Sequence, residues 1–152
     1  MSHIVYLADV PQYLPVVAYW NYREWHAGKR SFDEIIRRYQ ERLNYAEIPV
    51  TLVAVEDTMP VGSVSLKMGD LQERDDLDPW LASLYVVADY RGRGIGSALL
   101  QAAQGTARAA GVARLYLYTH TANALYERDG WSKTGTFERE GGVTETIYHK
   151  DL

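Results

Sequence analysis

The chain has 152 residues, 47% hydrophobic and 24% charged, the size and balance of one compact globular domain able to bury a core. Its 16 Lys and Arg against 20 Asp and Glu leave a formal net charge of -4, which argues against a nucleic-acid partner and weakly favours a cationic substrate. Cysteine is absent, excluding disulfides, thiolate metal sites and an acyl-cysteine intermediate; with no leader pattern and no apolar run able to span a bilayer, a soluble cytoplasmic protein without membrane or metal partners is expected.

Ile4 to Leu7 reads as a short strand. Asp9 and Pro11 then signal a helix start for the aromatic segment Tyr13 to Trp25, with Pro15 tolerated only if it falls in the first turn. Ser31 with Glu34 forms a capping-box signature for a second helix, on which Phe32, Ile36, Tyr39 and Leu43 share one face. Val50 to Val55 and Val61 to Leu66 are β-branched runs expected to pair as a hairpin with a longer loop, Glu56 to Pro60. The acidic stretch Asp70 to Asp78 reads as a loop.

Trp80 to Val87 is an apolar strand followed by the run Arg91-Gly92-Arg93-Gly94-Ile95-Gly96-Ser97. Ile95, Leu99, Ala103, Thr106 and Ala110 then mark a helix ended by Gly111 at C′. Arg114 to Thr119 is the next strand, Thr121 is placed to cap a short helix through Arg128, and Gly130 stops it. Trp131 to Phe137 and Val143 to His149 close the chain as strands around Gly141-Gly142. The order is strand, two helices, three strands, helix, strand, helix, two strands, a mixed α/β single domain over residues 1–152.

A strand that ends in a glycine turn and opens a helix aims free N–H groups and the positive end of the helix dipole at one point, where an anionic phosphate fits. Glycine lets the phosphate approach the main chain, and Arg91 and Arg93 add charge at the rim. A nucleotide-triphosphate loop requires Gly-Lys-Ser/Thr, whereas Gly96 is followed by Ser97-Ala98. A dinucleotide fingerprint fails too, because Ser97 or Leu99 stands where its third glycine belongs.

Arg91, Gly94 and Gly96 resemble the Arg/Gln-x-x-Gly-x-Gly/Ala signature of the GNAT superfamily of N-acetyltransferases. Leu84-Tyr85-Val86 resembles that family's strand pairing with the pantetheine arm, and Leu125-Tyr126 through Gly130-Trp131 its later Leu-Tyr-x-x-x-Gly-aromatic motif. The resemblance implies a mixed central sheet of about seven strands with four helices on both faces. It implies acetyl-CoA as acyl donor, held by Leu84, Tyr85, Val86 and the run Arg91, Gly92, Arg93, Gly94, Ile95, Gly96, Ser97, and a small-molecule or protein amine as acceptor. Where many members carry Asn, seven positions before the tyrosine, this chain has Thr119; no cofactor role passes to Asn123.

Acyl transfer to an amine needs an amine that has lost its proton, support for the developing oxyanion and a proton for the leaving thiolate. Lacking Cys, the chain points to direct attack in a ternary complex. Tyr126 is the general-acid candidate, lifted above a packing role by the family motif; a free N–H near Val86 is the oxyanion candidate. The base is open between the acids of Asp70 to Asp78, in large part a solvated loop, and His120, equally suited to a capping or surface role. The first helix's aromatics either border the acceptor or, for at least half, pack the core. The alternative is a non-catalytic acyl-CoA-binding or sensing module. The C-terminal strands offer an exposed edge for a possible homodimer.

Overall fold

A computed structural model describes residues 2–152. Its elements are β1 (Ser2–Tyr6), α1 (Leu14–Asn21), α2 (Phe32–Gln40), β2 (Val50–Glu56), β3 (Met59–Lys67), β4 (Trp80–Val86), α3 (Ile95–Ala109), β5 (Arg114–Thr119), α4 (Asn123–Arg128), β6 (Ser132–Glu138) and β7 (Thr144–Asp151). One seven-stranded sheet runs β1-β2-β3-β4-β5-β7-β6, antiparallel except where β4 meets β5. No helix among the described residues is long and apolar enough to cross a membrane.

The strand alternation sorts two cores onto opposite faces. Leu52, Ala54, Val64, Leu66, Leu81, Leu115 and Leu117 meet Leu99, Leu100 and Ala103 of α3 and Tyr126 of α4. On the other face, Val53, Val55 and Tyr85 pack against Val17, Ala18 and Trp20 of α1 and Ile35 and Tyr39 of α2. Gly62 on β3 permits the closest approach: a Cβ there would sit 2.8 Å from the Tyr85 carbonyl and 3.0 Å from Leu99 Cδ1.

Several expectations need correction. Tyr13 to Trp25 is not one helix: 3₁₀ turns at Leu7–Asp9 and Pro11–Tyr13 lead into α1, where Pro15 takes an early position, and Tyr22–His26 continues as a π-helical turn. The β2–β3 connection is shorter than expected, with Asp57 supplying a positive φ of 55° in a turn centred on Asp57-Thr58. The start of α4 is held by Thr119, whose Oγ1 accepts from the N–H groups of Thr121 and Ala122 at 3.3 and 3.1 Å, and not by Thr121. The Ser31 cap forms as expected, accepting from Glu34 N–H at 3.1 Å, a bond worth about 1 kcal/mol.

The acidic loop is more structured than a solvated run. Leu71 and Leu77 pack with buried Trp80 against Tyr116, Tyr118 and Phe137. Asp70 pairs with Lys67 at 2.9 Å, Asp76 with Arg74 at 3.0 Å, and Asp78 accepts from Gly69 N–H at 2.7 Å.

Candidate active site

β4 and β5 start together and then separate. Their register holds one pair, Trp80 with Tyr116, beside the bond from Tyr116 N–H to the Pro79 carbonyl at 3.1 Å. A bulge in β4 contributes: Ser83 and Leu84 together oppose Val64, and Ser83 has a φ of 59°. Asn21, buried at the end of α1, secures it by donating to Ser83 Oγ at 2.7 Å. Val87 N–H bonds the Val61 carbonyl at 2.9 Å, so the alternation turns the backbone of Val86 and Leu84 toward the gap. The gap opens into a cleft of about 1510 Å³ between the ends of β4 and β5 and the α1–α2 segment.

At one mouth lies the glycine turn, enclosing a second hollow of about 300 Å³ lined by Arg91, Gly92, Gly94, Gly96, Ser97 and Arg128 among others. Gly92 and Gly94 have φ of 77° and 81°, conformations that Cβ disfavours, and Gly94 is the residue from which α3 starts. The first backbone bond beyond the turn is Ala98 N–H to the Gly94 carbonyl at 3.0 Å; among the described residues the amides from Gly92 to Ser97 have no backbone acceptor. They lie at the positive end of a 15-residue helix. Arg91 is partly engaged, donating from Nε to the Val86 carbonyl at 2.8 Å with its guanidinium 5.5 Å from the Tyr85 ring centre. Arg93 lies over Tyr90 at 4.7 Å. Ile95 is buried in the α3 core, and Tyr85 turns its side chain to the opposite face, onto Trp20 and Arg23. The Ile95 amide belongs to the turn, whereas the Tyr85 backbone is directed at β3, its carbonyl 2.8 Å from where a Cβ on Gly62 would sit, so the sequence expectation that Tyr85 backs the gap with Leu84 and Val86 does not fit its orientation.

Tyr126 stands where the cleft meets α4. It is 6% exposed, packed edge-on to Trp131 at 6.0 Å, and its hydroxyl has no hydrogen-bond partner among the described residues. Burial pushes its pKa up to about 12. Asn123 donates to Tyr148 Oη at 2.9 Å, and Tyr148 donates to Glu127 at 2.6 Å, a link between α4 and β7 remote from the turn. Asp129, closing the same motif, accepts from Gln101, Gln104, Trp131 and Lys150 and ties α3, α4 and β7 together.

His120 follows β5 on the cleft wall. Its Nδ1 lies 2.9 Å from Oε1 of Glu145, a carboxylate 1% exposed whose other oxygen accepts from Arg139 at 2.9 Å. With Nδ1 facing this carboxylate, a neutral ring would carry its proton there and leave Nε2, which has no partner among the described residues, to accept.

The model of the "Acetyltransferase (GNAT) family" matches residues 16–131, more than half the chain. The chain belongs to the GNAT acetyltransferase family. No curated protein matches its sequence. Solved structures share the fold at low identity. A GNAT-family acetyltransferase from Streptococcus pneumoniae is 20% identical with a TM-score of 0.75, covering 100% of this chain and 99% of its own. An aminoglycoside 6'-N-acetyltransferase complexed with coenzyme A is 16% identical with a TM-score of 0.77, covering 98% and 96%. Salmonella typhimurium YncA, solved with its cofactor acetyl-CoA, is 18% identical with a TM-score of 0.75, covering 100% and 94%. As expected from the sequence, the fold is a single-domain α/β arrangement, with α1 and α2 on one face and α3 and α4 on the other.

Sequence reasoning missed Asn21, Arg42, Arg139 and Glu145. Glu145 left one trace: in β7 it shares a face with Ile147, an inward position where a carboxylate is out of place. Arg42 left none, because it lies just beyond the end of α2 and its contact with Ser65 spans 23 residues.

Proposed function

We propose that this GNAT domain, residues 1–152, is a soluble cytoplasmic enzyme that transfers the acetyl group of acetyl-CoA directly to a primary amine, with both substrates bound together. The observation that carries the reading is the set of unpaired amides from Gly92 to Ser97 beside a sheet split between β4 and β5. These residues fit the donor's diphosphate: the amides from Gly92 to Ser97 lack a backbone acceptor among the described residues, and the space at Gly92 and Gly94 is open, a Cβ at either meeting no protein atom within 4 Å.

The donor supplies the acetyl group activated as a thioester. The turn amides and the α3 dipole would hold its phosphates, with Arg91 and Arg93 adding charge, while Leu84 and Val86 would offer backbone groups along the gap. An N–H near Val86 is placed to support the oxyanion. Tyr126, kept neutral by its burial, retains a proton on Oη for the departing sulfur. His120 takes the amine proton at Nε2, with Glu145 fixing the ring.

Calorimetric titration with acetyl-CoA, beside NADH and ATP, tests the donor site. Saturable binding of acetyl-CoA in preference to the other two is expected; no acetyl-CoA binding overturns the reading. In the His120→Gln variant, kcat falls about 10²- to 10⁴-fold while acetyl-CoA affinity is unchanged, as for loss of a general base. Unchanged kcat removes His120 from the mechanism.

A further inference from the structure

The part of the cleft under α1 and α2 reverses the charge of the chain as a whole. The net charge of -4 favours a cationic substrate, yet this lobe is lined by Arg30, Arg38, Arg42 and Lys67. Arg42 is the unusual member. It is only 6% exposed, its guanidinium lies 4.4 Å from the centre of the Tyr39 ring, and its one side-chain bond among the described residues runs from Nη1 to Ser65 Oγ at 3.2 Å. Ser65 is in turn held by Thr51 Oγ1 at 2.8 Å, which fixes that end of the contact.

No carboxylate pairs with Arg42 among the described residues. A guanidinium has five N–H donors, and one bond to a hydroxyl leaves most of them unused. Every fully buried side-chain nitrogen or oxygen in the described residues has a partner, so the unbonded Nε and Nη2 reach accessible surface, and the surface that Arg42 lines is the cleft. A buried cation without a counter-charge is costly, and the cost is recovered when an anion arrives.

Its neighbours are arranged to help. Arg38 reaches Glu34 only at 3.7 Å, and Glu34 is already bonded by Arg30 at 2.8 Å. Lys67 shares Asp70 at 2.9 Å but keeps two further N–H donors, one β3 repeat from Ser65 and on the same face. Glu24 and Glu41, also on the cleft lining, are both exposed and bond to none of these cations. A separate reporter agrees: burial, then the charges of Arg38, Arg30, Lys67 and Arg42, hold the His26 imidazole down to about 4. The four cations therefore act on one region of the cleft.

We propose that the acceptor is a small amine that also carries a compact anion, in the manner of an amino acid, and that Arg42 with Arg38 and Lys67 binds that anion. This deepens the acetyltransferase reading and rests on it. The planar fork of Arg42 suits two oxygens of a carboxylate or phosphonate, and both present the same chemistry to it. The same lobe repels a polycationic amine, so the charge pattern selects against that class as well as for the anionic one.

The test measures CoA thiol release with saturating acetyl-CoA and matched acceptors: the common α-amino acids, their α-amides, their decarboxylated amines, aminoalkylphosphonates and kanamycin. Carboxylate or phosphonate amines are expected to exceed their amide and decarboxylated counterparts at least about tenfold in kcat/KM, the lower range for a charge-assisted bond. Whichever of the carboxylate and phosphonate arms is faster identifies the anion. Arg42→Lys and Lys67→Met each raise KM for that acceptor about tenfold or more with little change in kcat and none in acetyl-CoA affinity. The second variant retains the test if the first misfolds. Binding of N-acetylglycine against N-acetylglycinamide, followed by NMR, provides a readout independent of turnover. Equal or faster reaction of the amides, decarboxylated amines or kanamycin overturns the proposal, as does the absence of both anion-dependent turnover and anion-dependent binding. Failure to bind acetyl-CoA instead overturns the acetyltransferase reading, so the two failures are distinct.

Discussion

Replacing Tyr126 by Phe removes one oxygen from a site where that oxygen makes no hydrogen bond among the described residues, while the ring keeps its contacts with Trp131 and Tyr148. Folding stability at pH 7 should therefore change by less than about 1 kcal/mol, since no bond is broken and no void is left. If Tyr126 gives its proton to the departing sulfur, kcat falls about 10²- to 10⁴-fold with acetyl-CoA affinity intact. The alkaline limb of stability offers a second check. The folded pKa of about 12 exceeds the ordinary 10.0, so the phenol's contribution is complete below pH 10 and is lost as pH rises through about 12. The full difference corresponds to roughly 2–3 kcal/mol, of which about half is lost by pH 11 and is not lost by the Phe variant. Tyr118, also pushed up to about 12 by burial, and Tyr148, shifted in the same direction, stay in both proteins, so the variant lessens the alkaline decline without abolishing it. Stopped-flow thiol release, calorimetry and urea unfolding at pH 7 to 11 measure the three quantities. A Phe variant with wild-type kcat refutes the assignment; one with a stability loss of several kcal/mol shows that the hydroxyl had a structural partner.

Gly94→Ala places a Cβ at a φ of 81°, costs about 1–2 kcal/mol of stability, and weakens acetyl-CoA binding about tenfold or more; calorimetry and urea unfolding separate the effects. Asp129→Asn should flatten the acid limb of stability. Partial burial alone would raise the Asp129 pKa, but bonds from Gln104, Gln101, Lys150 and Trp131 hold it below the ordinary 3.8. Its contribution is thus complete above that value and lost as pH falls through the depressed one, and urea unfolding from pH 2 to 6 reads the difference.

Much of the frame was legible because it depends on local chemistry. Ser31 and Glu34, Gly111 and Gly130 mark helix ends through bonds or dihedrals set within a few residues, and the β-branched runs mark β2 and β3. The turn from Arg91 to Ser97 was readable for the same reason: its glycine conformations and the helix start are properties of adjacent residues. The structure also brings it beside the gap flanked by Leu84 and Val86.

What escaped depends on distance along the chain. Ser83 is held by Asn21 from 62 residues away, and the Glu145 that orients His120 is 25 residues on. Asn21 leaves the apolar periodicity of its segment intact, and Glu145 shows only as a carboxylate at an inward position of β7. Net charge is equally silent about position. Glu34 and Asp70 are engaged with Arg30 and Lys67, whereas Arg42 is left without a carboxylate, so the field inside the cleft differs from the sum over the chain.

The parting of β4 and β5 also has a consequence for how firmly the molecule holds together. Two halves of one sheet, β1-β2-β3-β4 and β5-β7-β6, share a single register pair, and α3 packs mainly over the strands on the first side of that seam, reaching the second through Leu115, Leu117 and Asp129. The seam is the line along which the sheet opens with the least loss of backbone bonding. A bound molecule that bridges it serves as mortar, raising unfolding stability by about 2.7 kcal/mol at a free concentration one hundred times its Kd. The melting temperature of this protein then becomes a gauge of donor supply.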